Sequence, residues 1–449
     1  MNVTTITVLG TGYVGLTTAA LLTHAGYTVY AVEPNQERLQ AIKQGKSFFY
    51  EAGLDPVIES ALQTGRFIPT DSYEQSVPHS DVVFSCVGTP DNPDGSSNLA
   101  YVFAAARQAG GLMKQAALYV QKSTVPVGTG AKLEAEFAAL NKDIAYVSNP
   151  EFLREGTALK DTLLFDRVVA GGNNSAAVST ILDLYRQLES KRIDILTIAG
   201  IEHSNKSGEY IATGLASAEL IKVTANAFLA LKISFANSIA QLADKSGADI
   251  VEVMDAVGAD QRINRAFFNA GRGYGGGCFP KDVSGLIASG LDYGVDLEIV
   301  QATKLVNDQM PGYVAEKLQD VLGGSFHGKK LAVLGLAFKA GTSDARKSPG
   351  AKLANILAEE GATVTAYDPK ANEEARHELI PEVHLTNELN ECIASADAIV
   401  IATDWPEFCK LTPSDISSQS GARILLDAVN CLPKSQYQAA GFTYLGIGR

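Results

Sequence analysis

Residues 5–15 read TITVLGTGYVG, and this stretch decides the fold. An apolar, β-branched run, Thr5–Leu9, leads directly into Gly10, Gly12 and Gly15 at the spacing G-x-G-x-x-G. Glycines at these places permit a tight turn and let backbone approach a pyrophosphate closely. The helix that follows offers free N–H groups and a partial positive charge at its start. The pattern by itself is weak, so its surroundings matter. A helix over Leu16–His24 is closed by Gly26, and a second strand, Thr28–Val32, ends at Glu33. A carboxylate about 20 residues past the glycines can hold both ribose hydroxyls and repel a 2′-phosphate. The expected cofactor is therefore NAD rather than NADP. Arg38 reads equally as an adenine-ribose neighbour and as a solvated helix residue.

Working outward, strand and helix signals alternate. A helix is expected over Gln36–Gln44, with buried strands over Asp81–Val87 and Leu118–Lys122. Such alternation implies a parallel, doubly wound sheet. The middle differs: from about Gly208 to Met310 the pattern is mainly helical. SAELIKVTANAFLALKISFANSIAQLADKSG has no Pro or Gly before its end, and Gly247 is a natural stop. A helix this long can join domains or form a subunit interface. Then the first pattern restarts with strand Lys329–Gly335, helix Gly350–Glu360 and strands Thr363–Tyr367, Ala398–Ala402 and Arg423–Asp427. The expected fold class is α/β: two Rossmann-like doubly wound domains joined by a central long helix and helical domain.

The chain has 449 residues, too many for one ordinary core, and its 46% hydrophobic and 19% charged content is globular. A net charge of -13 without a long basic run argues against nucleic acid or an anionic membrane as partner. TITVLG opens the chain without a basic-then-apolar leader, and no unbroken apolar run reaches the ~18 residues of a membrane span. The five cysteines are scattered, with no CxxC or Cys/His cluster, so no metal site is expected. Free thiols in a reducing cytoplasm are the simplest reading.

The chemistry concentrates in GRGYGGGCFPKD, Gly271 to Asp282, where five glycines surround Cys278. Glycines let a substrate approach backbone, and a thiolate is an effective nucleophile. Lys281 is a candidate neighbour to lower the thiol's pKa. Lys222 and Asn226 are four apart and share one face of the central helix. A lysine on so apolar a helix either reaches a partner or snorkels; spacing alone does not choose. If it reaches inward it can stabilise an alkoxide or oxyanion. NPEFLREGTALKD places Glu151 and Glu155 four apart. Paired acids suit general acid/base work, though alone they would read as solvated carboxylates. Thr124, in KSTVPVGT, is a candidate hydroxyl for ordering water or cofactor.

Taken in order, GTGYVG, CVGTP, STVPVGT, NPEFLREG, KVTANAFLALKISFANS, DQRIN, GYGGGCFPKD, LGLAFKAGTSDARKSP and YDP run through nearly the whole chain. In these motifs it resembles the UDP-glucose/GDP-mannose dehydrogenases. The resemblance implies NAD-dependent, four-electron oxidation of a nucleotide-linked sugar to its uronic acid through a cysteine thioester. It implies an NAD-binding domain over 1–205, a central helical dimerisation domain over 206–312 and a UDP-sugar-binding domain over 313–449. Cys278 would be the nucleophile. Lys222, Asn226 and Asp282 would surround the sugar C6, and Glu151 would be general base, with Thr124 placing water. Tyr13, Val14, Thr89, Glu155, Lys281 and Arg346 would join Gly10, Gly12, Gly15 and Glu33 on the cofactor side. Phe152, Leu153, Arg154 and Glu155 would line the sugar nucleotide. The loop Phe267, Phe268, Asn269, Ala270 and Gly271, with Gly275, would wrap it, and Lys339 would bind its phosphate or sugar. Arg262 would reach substrate held by a neighbouring subunit, in a homodimer or higher oligomer.

Three places depart from the family's pattern: GGGC stands for GGSC, TSDAR for TDD-x-R, and Asn264 follows DQRI where glycine is common. The GYGG-x-CFPKD form favours UDP-glucose over N-acetylhexosamines, which typically go with a histidine before the cysteine. GDP-mannose or another UDP-hexose is the alternative substrate, and a nucleotide-sugar sensor without turnover the alternative class. A simple two-electron hydroxyacid dehydrogenase would leave Cys278 and residues 320–449 unexplained.

Overall fold

The computed structural model describes residues 2–140, 142–204 and 206–449. The chain divides into two compact units, Met1–Ala225 and Asn226–Arg449.

The first unit is built on eight strands: β1 (Thr5–Leu9), β2 (Thr28–Val32), β3 (Phe67–Thr70), β4 (Val82–Ser85), β5 (Leu118–Gln121), β6 (Ala145–Ser148), β7 (Arg167–Gly171) and β8 (Glu209–Thr213). Their spatial order is β3-β2-β1-β4-β5-β6-β7-β8. The first six run parallel, as the alternation implies. β7 then meets β6 antiparallel through Ser148 and Gly171, and β8 follows β7 in parallel. Sequence pattern leaves β3, β7 and β8 unassigned, and it places a strand before NPEFLREG, where β6 lies, without giving its bounds. They are short, and β3 carries Pro69, which a sheet edge tolerates because no ladder N–H is needed there. β8 falls at the start of the stretch expected to be mainly helical, which is otherwise helical through Leu215–Ser246. The sheet's side chains alternate between two cores: Ile6, Val8, Val29, Ala31, Val82 and Phe84 on one face, and Leu9, Val32, Val83, Tyr119 and Tyr146 on the other.

The second unit repeats this plan with β9 (Lys330–Leu334), β10 (Thr363–Tyr367), β11 (Val383–Leu385), β12 (Ala398–Ile401), β13 (Ile424–Asp427) and β14 (Thr443–Gly446). All six are parallel, in the order β11-β10-β9-β12-β13-β14. In both sheets the chain winds outward in opposite directions from a central pair, β1/β4 or β9/β12. The crevice beyond the carboxyl ends of that pair is where open α/β sheets bind ligands.

The two crevices are made the same way. A Cβ on Gly15 would lie 1.9 Å from the Gly10 carbonyl, and one on Gly350 would lie 2.5 Å from the Gly335 carbonyl. Strand end and following helix therefore touch at bare backbone in each. The helices are Tyr13–His24 and Pro349–Glu359. The central helix spans Leu215–Ser246 and stops at Gly247, whose φ of +79° is the left-handed turn that glycine adopts without strain. By length and composition it could cross a bilayer, but half of its apolar window is buried within the protein.

Asp368, at the end of β10, fixes the second crevice. Its carboxylate is 2% exposed. It accepts N–H bonds from Leu336 (2.8 Å), Ala337 (2.9 Å), Lys370 (2.9 Å), Ala371 (2.8 Å) and the Trp405 indole (3.0 Å). Asp368→Ala strands these buried donors. It is expected to cost about 2–4 kcal/mol of stability, read as a lower urea midpoint for the transition of this unit.

Candidate active site

The first unit supplies a cradle that fits a dinucleotide. Gly12 stands exposed at the N-cap of helix Tyr13–His24, with open space where a side chain would be. Tyr13 and Val14 follow in the first turn, and the Tyr13 ring lies 4.0 Å from that of Phe49. Glu33 is 5% exposed; it accepts the Thr11 hydroxyl at 2.5 Å and the Asn35 N–H at 3.0 Å. These bonds fix a carboxylate at the tip of β2 beside the glycine turn, where it can meet ribose hydroxyls. Arg38 is exposed, its guanidinium 4.7 Å from the centre of the Phe48 ring. Thr89 is buried in the loop after β4, and Thr124 is half-buried in the loop after β5.

At the carboxyl end of β6 the chain leaves the sheet as a loop, and Glu151 and Glu155 are both buried there. They are thus neither helical nor solvated. Glu151 accepts the Leu153 N–H at 2.7 Å, and its other oxygen lies 3.1 Å from the Lys222 ammonium. Lys222 is 3% exposed, so it reaches inward rather than snorkelling. Its Nζ also sits 5.5 Å from the Phe152 ring centre, with the Arg167 guanidinium 4.0 Å from that ring. Arg154 instead turns outward to Asp161, at 2.7 Å.

The second unit holds the cysteine. Cys278 is the N-cap of helix Phe279–Asp292, with Pro280 in the first turn. The positive end of a helix favours a thiolate over a thiol. One turn on, the buried Asp282 accepts Asn226 Nδ2 at 2.6 Å and the Lys281 ammonium at 2.6 Å. Lys281 is thereby paired to Asp282. Lys222 and Asn226 are one turn apart on the central helix, and each meets a buried carboxylate.

The glycines before Cys278 have separate reasons. A Cβ on Gly275 would meet the Lys347 carbonyl at 2.4 Å, one on Gly276 the Phe338 ring at 2.9 Å, and one on Gly277 the Arg346 guanidinium at 2.6 Å. Arg346 is itself held by the buried Asp344 at 2.6 Å. GGGC and TSDAR are thus packed against one another. Asn264 has φ +65°, the conformation glycine adopts freely, and its side chain accepts the Ala266 N–H at 2.9 Å. In the loop that follows, Phe267 also has positive φ, at 67°. Phe268 packs 6.2 Å from Phe235, Asn269 accepts Arg265 at 2.8 Å, and Ala270 is buried. Gly271 donates to Asn237 at 2.7 Å. Lys339 lies 5.6 Å from the Phe338 ring centre. Arg262 is outermost, its side chain 88% exposed and paired to Asp260.

Several residues that hold these loops escape the sequence reading. Glu219 accepts the N–H groups of Gly128 and Gly130, each at 2.7 Å, bracing the Thr124 loop. Its spacing of three before Lys222 was the available signal. Glu51 accepts from Gly156 at 2.9 Å and Leu159 at 3.3 Å, and burial pushes its carboxyl up to about 7. Nothing in the sequence near Glu51 announces this. Among the described residues no cluster of potential metal ligands occurs.

Family models match three successive stretches. They are the NAD binding domain of the UDP-glucose/GDP-mannose dehydrogenase family over residues 4–189, its central domain over 216–309 and its UDP binding domain over 332–434. The chain belongs to this family. It is an NAD-dependent dehydrogenase with a UDP-binding domain. A UDP-glucose 6-dehydrogenase of Rhizobium meliloti is 39% identical over 99% of both chains. The structure of a UDP-glucose dehydrogenase from Pyrobaculum islandicum matches with TM-score 0.88 and 36% identity, covering 100% of this chain and 98% of that one. A UDP-D-ManNAc dehydrogenase from Pyrococcus horikoshii matches with TM-score 0.85 and 29% identity over 99% of each.

Two variants test the cradle. Gly15→Val should abolish NAD binding, followed by cofactor fluorescence. The native protein should prefer NAD to NADP by ~10-fold or more in kcat/KM, equivalent to about 1.4 kcal/mol, and Glu33→Ser should narrow that gap. Equal kcat/KM for both cofactors in the native protein would remove the role given to Glu33.

Proposed function

We propose that this dehydrogenase oxidises UDP-glucose to UDP-glucuronate in two two-electron steps, with a covalent thioester on Cys278 between them. The placement of Cys278 carries the reading: a cysteine at a helix N-terminus, cradled by three glycines, one turn from a buried Asp282–Asn226 pair. A two-electron alcohol dehydrogenase has no use for such a thiol. The choice of UDP-glucose follows the relatives that bear that name at 39% and 36% identity.

Bound NAD, held by the Gly10–Gly15 turn and Glu33, supplies hydride acceptance at C6, two equivalents per sugar. The protein's residues do the rest. Lys222 and Asn226 stabilise negative charge on the C6 oxygen. The Cys278 thiolate adds to C6 at the aldehyde level, giving a thiohemiacetal, so no free aldehyde escapes. Loss of the second hydride leaves a thioester. Glu151 takes a proton from water, which Thr124 helps to place; the hydroxide attacks the thioester carbonyl, the C–S bond breaks and the thiolate returns. Phe152, Leu153, Arg154, Glu155, the Phe267–Gly271 loop, Gly275 and Lys339 bind the sugar nucleotide, and Lys281 and Arg346 face the cofactor. Five thiols, none in a disulfide, suit a reducing compartment, and we assign the enzyme to the cytoplasm.

Residues 206–312 act as a dimerisation domain. Phe228, Phe235 and Leu242 are 60%, 48% and 64% exposed and recur every seven residues, a continuous apolar stripe on one helix face. A second copy covers that stripe, and Arg262 then reaches the neighbour's substrate.

With limiting UDP-glucose and excess NAD, about two NADH should form per sugar. A ratio near one would mean that oxidation stops at the aldehyde. Cys278→Ser should lose net uronate formation while binding NAD nearly as before; uronate made at the native rate would refute the thioester route. Phe228→Glu with Leu242→Glu should shift the light-scattering mass to that of a monomer, and an unchanged mass would place the interface elsewhere.

A further inference from the structure

Cys409 and Cys431 have no part in the proposed reaction, yet their thiols meet. Cys409 ends the short helix Pro406–Cys409, which follows β12, and Cys431 lies in the turn after β13. β12 and β13 are neighbouring parallel strands, so the segments leaving their carboxyl ends run side by side. Tyr437 ties these segments together, its hydroxyl donating to the Leu411 carbonyl at 2.7 Å. In this frame the two thiols are hydrogen-bonded to each other. Both residues are half-buried, and neither is in a disulfide.

Burial pushes the thiols of Cys86 and Cys392 up to about 12, which leaves them unreactive. Cys409 differs. Its bond with Cys431 holds its thiol below the ordinary range, against burial and the charges of Asp404 and Asp427. The same bond, with burial, raises Cys431. A partly exposed thiol that ionises readily, with a second thiol in contact, is the arrangement that peroxides oxidise to a disulfide. Metal binding does not account for the pair, because among the described residues no group of three potential ligands occurs.

Each cysteine is tied to a part of the second unit that frames its crevice. The Cys409 N–H donates to the Trp405 carbonyl at 3.0 Å, and the Trp405 indole donates to Asp368 at 3.0 Å. Cys431 directly follows the turn Ala428–Asn430. The Ala428 carbonyl accepts the Arg272 N–H at 2.9 Å, and a Cβ on Gly271 would lie 2.6 Å from it. Asn430 has φ +56°, and its side-chain amide donates to the carbonyls of Ala270 at 3.4 Å and Ile447 at 2.9 Å. The turn before Cys431 therefore carries residues 270–272 of the glycine loop.

We propose that Cys409 and Cys431 are a peroxide-sensitive dithiol whose oxidation to a disulfide lowers affinity for the UDP-sugar. The Cys409 thiolate attacks one peroxide oxygen, the O–O bond breaks and hydroxide leaves, giving a sulfenic acid. The Cys431 thiol attacks that sulfur; the S–S bond forms, the S–O bond breaks and water leaves. The hydroxide takes up the proton that Cys409 released. Two thiols and one hydrogen peroxide thus give one disulfide and two waters, the sulfurs losing the two electrons that the peroxide gains. A covalent bond holds the sulfurs closer than a hydrogen bond does, so the 428–430 turn shifts with Cys431 and residues 270–272 shift with the turn. The loss of affinity rests on the UDP-sugar reading above; formation of the disulfide does not.

The test uses the full-length Cys278→Ser protein, in which the catalytic thiol cannot consume peroxide. Hydrogen peroxide in small excess is followed by alkylation and peptide mass mapping. UDP is titrated calorimetrically before oxidation, after it and after dithiothreitol. A Cys409–Cys431 cross-linked peptide, lighter by two hydrogens than its parts, is expected. UDP affinity should fall roughly 5-fold or more and return with dithiothreitol. Adding Cys431→Ser should abolish the cross-link and keep UDP affinity constant under peroxide. Cysteines 409 and 431 that stay unlinked would overturn the dithiol. A cross-link with unchanged UDP affinity, or an equal loss of affinity in the Cys431→Ser protein, would overturn its control of binding. Reduced native protein that neither binds UDP nor turns over UDP-glucose would defeat the parent reading, and the peptide mass would still decide the dithiol.

Discussion

A buried ammonium on an apolar helix must find a carboxylate, and the site is arranged around that requirement. Lys222 projects from the central helix into a dry environment and meets Glu151 at 3.1 Å. Replacing such a pair by packed apolar side chains would often be as stable or more so. The pair is thus not accounted for by stability alone. One helical turn later Asn226 meets Asp282 at 2.6 Å, within the unit that carries Cys278. In each unit, then, a polar group of this helix meets a buried carboxylate.

The two sheets show how one architecture yields two ligand environments. Both bring strand end and helix start together through glycine, and both offer a crevice at the central strand pair. They differ in the charged group placed there. In the first, the acid at the second strand's tip is fixed beside an open glycine turn. In the second, the matching acid is committed to five internal donors, and Arg272 from the glycine loop fills the space. A dinucleotide suits the first arrangement.

The family's departures become intelligible as packing. Gly277 lies against the Arg346 guanidinium, so a side chain there would have to displace it. Asp344 anchors that arginine through its backbone N–H, Nε and Nη2. Asn264 takes the left-handed backbone that glycine adopts, at the cost of modest strain offset by its own hydrogen bond to Ala266. With these residues in place, Cys278 stands at the N-terminus of its helix.

The sequence by itself determined the α/β class, the restart of the pattern after the central helix and the dinucleotide turn, and it singled out the cysteine of the glycine loop. Each rests on local spacing: alternation along a strand, glycines at fixed offsets, a helix bounded by Gly247. Tertiary structure alone decided what each polar side chain meets. It showed that Glu151 and Glu155 are buried on a loop, that Lys281 is paired to Asp282, and that the sheet gains a reversed pair beyond β6. It also revealed Glu51, Glu219 and Arg272, whose partners lie 105, 91 and 131 residues away. Local spacing is silent about such contacts, because burial and the absence of water choose the partner, and only the folded chain defines both.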